Sequence, residues 1–223
     1  MRAIYIIDEM AGDRIWLHRL LTRNPNLIVR SFSSGESFLA VAHELDPGVA
    51  LVDLRMAGTD GMAVLHAIQN NRLLLPIALT SHGSIAMAVQ AMKEGAVDFI
   101  EKPYTVELLL EVIEAAFIQL EFDSLAMVRV TAAKAKICKL SPRERDVMNG
   151  LIAGSANKII AHQLGISPRT IEIYRANLMD KLEVHTLSEA LRIAFDAGLI
   201  GEFDRILALR SPTPVAKQAS AIR

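Results

Sequence analysis

Asp8 and Glu9 directly follow a short apolar run, Asp53 ends another, Thr80 and Ser81 close a third, and Lys102 follows a fourth. Three carboxylates converging at such ends repel one another unless a hard divalent cation lies among them, and oxygen ligands with room for water suit Mg2+. Lys102 is a point cation able to hold a phosphate oxygen, and the Thr80 hydroxyl can donate to another. Asp53 is then the candidate nucleophile. Its carboxylate can attack phosphorus in line and form an acyl phosphate while the cation neutralises charge on the transferring oxygens. Each of these residues alone is more often a helix cap or a turn residue. Placed together at the ends of four strands of one sheet, they describe a phosphoryl-transfer site.

The elements that must position them are legible from periodicity. Short β-rich runs, Ala3 to Ile7, Leu27 to Phe32, Val49 to Val52, Ile77 to Thr80 and Val97 to Ile100, alternate with amphipathic stretches. Those stretches are Asp13 to Leu21, Glu36 to His43, Met62 to Gln69, Ile85 to Met92 and Val106 to Leu120. Such alternation predicts a (βα)5 α/β domain over residues 1–121, a parallel sheet whose right-handed crossovers put helices on both faces and ligands beyond the carboxyl ends of the strands. Residues 122–138 carry Ala and Lys with little sustained apolar period and read as a linker, helical at its start. From Leu140 the pattern is all-α.

Four helices are bounded there by recognisable signals. Ser141-Pro142-Arg143-Glu144 and Thr186-Leu187-Ser188-Glu189 are capping boxes, and Gly154 and Gly198 close the helices that they open. Ser155 is placed to cap a second helix ending before Gly165, and Ser167-Pro168 opens a third running to Leu182. These define a second domain over residues 139–200 and a tail over 201–223. In the third helix Ile171, Tyr174, Leu178 and Leu182 recur at the spacing of a core face. The opposite face carries Arg169, Glu172, Ile173, Ala176 and Asp180, flanked by Arg175 and Lys181. A helix so composed fits a DNA major groove, where Arg reads guanine, Glu accepts from cytosine, and Ile or Ala touches a thymine methyl. Lys158 and the amides near Ser167 are placed to hold phosphates.

Composition agrees with two globular domains: 223 residues, 52% hydrophobic and net charge -1. The near-zero total hides an asymmetry, 9 Lys+Arg against 16 Asp+Glu through Asp123 and 15 against 9 beyond it. Asymmetry of this size suggests an acidic module joined to one that meets a polyanion; on charge alone, two ordinary solvated surfaces are the alternative. The single cysteine, Cys138, excludes an intramolecular disulfide and a thiolate metal cluster, which fits a reducing cytoplasm. The opening apolar run meets Asp8 and Glu9, so neither a signal peptide nor a membrane span is expected there.

With Asp53-Leu54-Arg55-Met56 and Gly95-Ala96-Val97-Asp98-Phe99-Ile100-Glu101-Lys102-Pro103, the segment from Ile4 to Glu121 resembles a response-regulator receiver domain of flavodoxin-like fold. The resemblance implies that Asp53 accepts a phosphoryl group from a sensor histidine kinase. It further implies that Glu9, Asp53 and the Arg55 backbone carbonyl hold Mg2+, with Asp8 helping through water, and that Thr80 and Phe99 form a switch pair. A new group of charge about −2 would draw the Thr80 hydroxyl inward and let Phe99 rotate, re-forming a dimerisation face of the fourth helix, fifth strand and fifth helix. The chain departs from the family pattern in three places. Ala57 stands where a Pro is usual, Met10 replaces a common acidic or polar residue, and Ser81-His82-Gly83-Ser84 lacks the usual Gly directly after the Thr. Ala57 is expected to loosen the loop after Asp53.

Leu140-Ser141-Pro142-Arg143-Glu144-Arg145, Asn157-Lys158, Ile166-Ser167-Pro168-Arg169-Thr170-Ile171-Glu172 and Lys181-Leu182 are similar to the LuxR-type helix-turn-helix. The whole resembles the FixJ/NarL class of transcription regulators, with Tyr174 where many relatives carry His. This implies a DNA-contact set of Lys158, Ser167, Arg169, Thr170, Glu172, Ile173, Arg175, Ala176 and Lys181. It also implies that the fourth helix pairs with a partner's copy through Leu187, Ala190, Leu191 and Ala194, on an inverted-repeat promoter. The expected function is phosphorylation-dependent transcription regulation by a cytoplasmic homodimer, not an enzyme beyond self-phosphorylation and slow self-dephosphorylation. RNA polymerase stands as an open further partner, and no membrane is involved. The alternatives are a constitutive DNA-binding or scaffold protein and a Mg2+-dependent phosphohydrolase.

Overall fold

A computed structural model describes residues 1–199. It contains β1 (Arg2–Ile7), α1 (Ala11–Leu21), β2 (Leu27–Phe32), α2 (Gly35–Leu39), β3 (Gly48–Asp53), α3 (Gly61–Ile68), β4 (Leu74–Thr80), α4 (Ile85–Lys93), β5 (Asp98–Glu101) and α5 (Val106–Cys138). Four further helices follow: α6 (Pro142–Ile152), α7 (Asn157–Leu164), α8 (Pro168–Leu182) and α9 (Leu187–Asp196). The expected tail, 201–223, lies outside the described residues. The chain divides into two compact units, the first closing at Leu125 and the second beginning at Ala126. No helix among the described residues is long and apolar enough to cross a membrane.

All five strands are parallel, in the order β2-β1-β3-β4-β5. Period-two alternation separates two cores. Tyr5, Ile7, Ala50, Val52 and Ala78 pack with Phe38, Val64, Leu65 and Ala91 on one face. Ile4, Ile6, Val49, Leu51, Ile77 and Leu79 pack with Leu17, Leu21, Leu109, Ile113 and Phe117 on the other. Every residue of β3 and β4 is buried, as central strands covered on both sides must be. The strand order reverses between β1 and β3, so the crevice that topology opens lies between the ends bearing Asp8 and Asp53.

The elements differ from the sequence reading in three places. The stretch Glu36 to His43, expected as one helix, is the short α2 followed by a single 3-10 turn over Ala42–Glu44. Residues 122–138, read as a linker only partly helical, are helix throughout. They contain no Gly or Pro to stop α5, and their Ala, Lys, Leu and Met residues favour its continuation. Ser155 does not cap α7. The N-cap is Ala156, with no side-chain hydrogen bond, and the Ser155 amide instead donates to the Gly150 carbonyl.

The second unit has two small cores. Val147, Leu151, Ile160, Ala161 and Ile171 form one, and Ile137, Leu140, Met148, Leu178, Leu182, Ala190 and Ala194 the other. Both capping boxes are formed as expected, at Ser141/Glu144 and Thr186/Glu189. The Glu144 carboxylate does more than cap. It is 4% exposed and accepts from Lys181 Nζ at 2.7 Å, tying α6 to α8. Burial works to raise its carboxyl pKa, but Lys181 and the Ser141 groups outweigh this and hold it below the ordinary value.

Two outcomes follow from this packing. A Cβ at Gly61 would be driven into the Asp53 carbonyl oxygen and the Leu54 backbone, so Gly61→Ala should cost about 1–3 kcal/mol of first-unit stability in urea unfolding. Lys181→Met leaves the Glu144 carboxylate without its cation and should cost about 1–2 kcal/mol, read as earlier loss of helix signal from the second unit.

Candidate functional site

The β1–α1 and β5–α5 turns carry their side chains to the end of β3. Lys102 Nζ donates to Asp53 Oδ2 at 2.7 Å, Asp13 Oδ2 at 2.8 Å and Asp8 Oδ2 at 2.9 Å. The other oxygens of Asp8 and Asp53 are held by backbone: Asp8 Oδ1 accepts from the Met10 amide and Asp53 Oδ1 from the Arg55 amide, both at 2.8 Å. Arg14 Nη1 donates to the Asp8 carbonyl at 2.7 Å and fixes the turn from outside. Asp8 is fully buried and Asp53 nearly so.

Burial pushes the Asp8 carboxyl up, more than Lys102 and the Met10 amide pull it down, and the Asp53 charge adds to the rise. Burial acts to lower the Lys102 ammonium, but Asp13, Asp53 and Asp8 together overcome it and raise its pKa. Tyr104 is pushed up to about 12, first by burial, so its phenol stays neutral beside the cluster. Three carboxylates thus face one ammonium, and their surplus negative charge suits a hard cation. Asp8, Asp13 and Asp53 offer oxygens within 4.8 Å of one another. The all-oxygen donor set fits the Mg2+ that receiver domains generally bind through an acidic pocket.

Asp13 was not among the site residues read from the sequence. As a first-turn acid of α1 it looks like an ordinary dipole partner, and only the three-residue turn between β1 and α1 brings it onto Lys102. Glu9, expected beside the cation, is not in the cluster; its Oε2 accepts from the Ala57 amide at 2.6 Å. The loop after Asp53 is therefore not left loose by the missing proline. Ala57 supplies an N–H that proline lacks, and Glu9 takes it. Glu36 accepts from the Thr59 amide at 2.6 Å, and its carboxyl is lowered to about 2, first by the Thr59 side chain and then by the backbone amides around it.

Thr80 is fully buried at the end of β4, where its Oγ1 points to Met87 Sδ at 3.8 Å and accepts from the His82 amide at 3.3 Å. Phe99, half-buried on β5 opposite Ala78, packs against the same core as Met87. The Gly83 amide donates to Glu101 Oε1 at 2.8 Å, and Ser84 caps α4, so the segment between Thr80 and α4 is tied to β5. Arg55 is exposed, and its amide rather than its side chain serves Asp53.

In the second unit, Ile171, Leu178 and Leu182 are buried and Tyr174 half-buried, so α8 turns Arg169, Glu172, Ile173 and Ala176 outward. Ser167 Oγ caps α8 by accepting from the Thr170 amide at 3.1 Å and is also bonded to the Thr170 hydroxyl. Lys158 is exposed on α7. Two members of the expected contact set are held inside the unit: Arg175 by Asn157 Oδ1 at 2.8 Å, and Lys181 by Glu144. On α9, Ala190 and Ala194 face the unit's own core rather than outward, which corrects the stripe read from the sequence. Leu187 and Phe195 are the exposed apolar residues, with Leu191 half-buried between them.

Residues 4–114 match the family model of the response regulator receiver domain, and residues 138–194 match that of the bacterial regulatory proteins, luxR family. The transcriptional regulatory protein FixJ of Bradyrhizobium diazoefficiens is 42% identical over 200 residues, covering 89% of this chain and 97% of the relative. FixJ of Rhizobium meliloti is 39% identical, over 87% of this chain and 96% of the relative. Among solved structures, the response regulator StyR matches with TM-score 0.74 at 28% identity, covering 86% of this chain and 98% of that one. Full-length FixJ from B. japonicum matches with TM-score 0.54 at 41% identity, covering 89% and 98%. With an acidic crevice at the β1/β3 switch point and an outward-facing helix in a LuxR-type unit, the chain belongs to the FixJ-like response regulators of two-component systems.

Proposed function

We infer that Asp53 accepts a phosphoryl group from a sensor histidine kinase and that this modification sets the affinity of a homodimer for promoter DNA. Residues 1–121 act as the phosphoacceptor domain, joined through 122–138 to DNA-binding residues 139–200, in the cytoplasm. The observation that carries this reading is the Asp53 carboxylate, nearly buried at a sheet switch point, with one oxygen on the Lys102 ammonium and the other on a backbone amide. A carboxylate so oriented attacks phosphorus in line. The new P–O bond forms as the donor's P–N bond breaks, and the leaving imidazole takes up a proton.

Asp8, Asp53 and the Arg55 carbonyl would hold Mg2+, which supplies charge neutralisation on the phosphoryl oxygens when bound. Glu9, whose Oε2 accepts from the Ala57 amide, would be a further ligand. Lys102 pairs with a phosphoryl oxygen, and the Thr80 hydroxyl leaves Met87 for another. Ile85, Val89 and Met92 are exposed along α4, which supports a dimer face there, and Leu187 and Phe195 of α9 support pairing on DNA. Lys158 and the capped start of α8 meet phosphates, while Arg169, Glu172, Ile173 and Ala176 meet base edges. Arg175 and Lys181 hold α8 in place. The protein acts on transcription and turns over no external substrate beyond its own aspartyl phosphate.

Asp53→Asn should abolish uptake of labelled phosphate from acetyl phosphate and Mg2+, while steady release of phosphate from small esters by the unmodified chain would favour a hydrolase instead. On a promoter fragment selected by the protein, Arg169→Ala should cost about 1–3 kcal/mol and relax base preference at one position. Lys158→Ala should weaken all sequences alike and reduce the salt slope by about 1.

A further inference from the structure

Within the first unit, α5 is apolar on two opposite faces. Leu109, Ile113, Ala116, Phe117 and Leu120 are buried against the sheet. On the side turned away from it Ala115, Ile118, Phe122 and Leu125 are all exposed, the last three at 47%, 70% and 56%. A helix apolar all round belongs inside a structure, and this one has solvent where a second layer of packing would lie. Single hydrophobic residues scattered on a surface are ordinary, but a stripe of them along about three turns of one helix marks an interaction face.

The spacing of the stripe selects what covers it. Steps of three, four and three residues from Ala115 to Leu125 are those of a and d positions, where the knobs of one helix enter the holes of another. Glu111, one step earlier on the same line, ends the seam toward the start of α5. The flanks favour an identical helix over a charged foreign one. On one side Glu114 and Glu121 are both bonded to Arg2 of the same chain, at 2.7 and 2.8 Å, and on the other lies the uncharged Gln119. A strongly charged partner finds little to read there, whereas a second copy meets the stripe with its own flanking acids already partly neutralised. Two copies related by a two-fold axis close on each other and leave no stripe open.

We propose that two copies of the chain pair through this outward face of α5 and that they do so before any phosphoryl transfer. The face contains no residue of the Asp53 site and none of the α4 residues Ile85, Val89 and Met92. Pairing through it therefore goes beyond the reading of Asp53 and does not depend on it.

The test is sedimentation equilibrium of the full chain over a concentration series, with no phosphoryl donor or mimic present. The parent should show a reversible monomer–dimer equilibrium. Phe122→Ala, a change that favours the helix and removes an exposed ring, should raise the dimer dissociation constant by about 30-fold or more, the effect of losing an aromatic anchor at the centre of an interface. Phe122→Leu, which keeps an apolar knob, should stay near the parent. Asp53→Asn and Ile85→Asp should pair as the parent does. A parent chain that remains monomeric at every concentration, whether its stripe meets another protein or another part of the same chain, would overturn the proposal. So would a dimer that Phe122→Ala leaves intact, or one that Asp53→Asn or Ile85→Asp abolishes. Uptake of labelled phosphate by Asp53 is measured separately, so either reading can fail while the other stands.

Discussion

A single ammonium shared among three carboxylates is the constraint around which the first unit is organised. Asp8, Asp13 and Asp53 come from the ends of β1, the start of α1 and the end of β3, and Lys102 crosses to them from the end of β5. Without that cation two nearly buried carboxylates would face each other across a crevice. A parallel sheet whose order reverses between β1 and β3 is what brings them together, and the same sheet buries β3 and β4 on both faces so that the crevice has a rigid floor. The residual negative charge suits a hard cation.

Around this centre the loops are held by carboxylates acting on backbone amides. Glu9 takes the Ala57 N–H, Glu36 takes the Thr59 N–H and Glu101 takes the Gly83 N–H, so each loop bordering the crevice is pinned to a neighbouring element. Gly61 lets the start of α3 lie directly against the backbone of Asp53, a contact that a side chain would prevent. The site is thus pre-organised through main-chain contacts, with the Thr80 hydroxyl resting on Met87 and Lys102 shared among three carboxylates.

Much of this was legible from the sequence. Period-two runs ending in Asp53 and Thr80 and followed by Asp8 or Lys102 locate four strand ends and the chemistry between them, because strand ends in such sheets coincide with ligand crevices. Capping boxes at Ser141 and Thr186 place two helices to the residue. What escaped depended on contacts that spacing does not encode. Asp13 is an unremarkable first-turn acid until a short turn aims it at Lys102, and the bond from the Ala57 amide to Glu9 spans a separation that spacing does not encode. Ala190 and Ala194 fit an outward stripe equally well as an inward one, since alanine satisfies either face of a small helical unit. Arg175 and Lys181 flank a DNA-facing surface by spacing, yet their partners Asn157 and Glu144 lie on other helices.

The central claim is that charge added at Asp53 is felt at α8, a coupling of about 1–3 kcal/mol if ordinary for linked sites. Fluorescence anisotropy of a labelled promoter fragment, titrated with the full chain with and without beryllofluoride at fixed salt, tests it most directly. The account predicts roughly five- to 150-fold tighter binding with the mimic. Equal affinity in the two titrations, with the mimic shown to occupy the site, would contradict it.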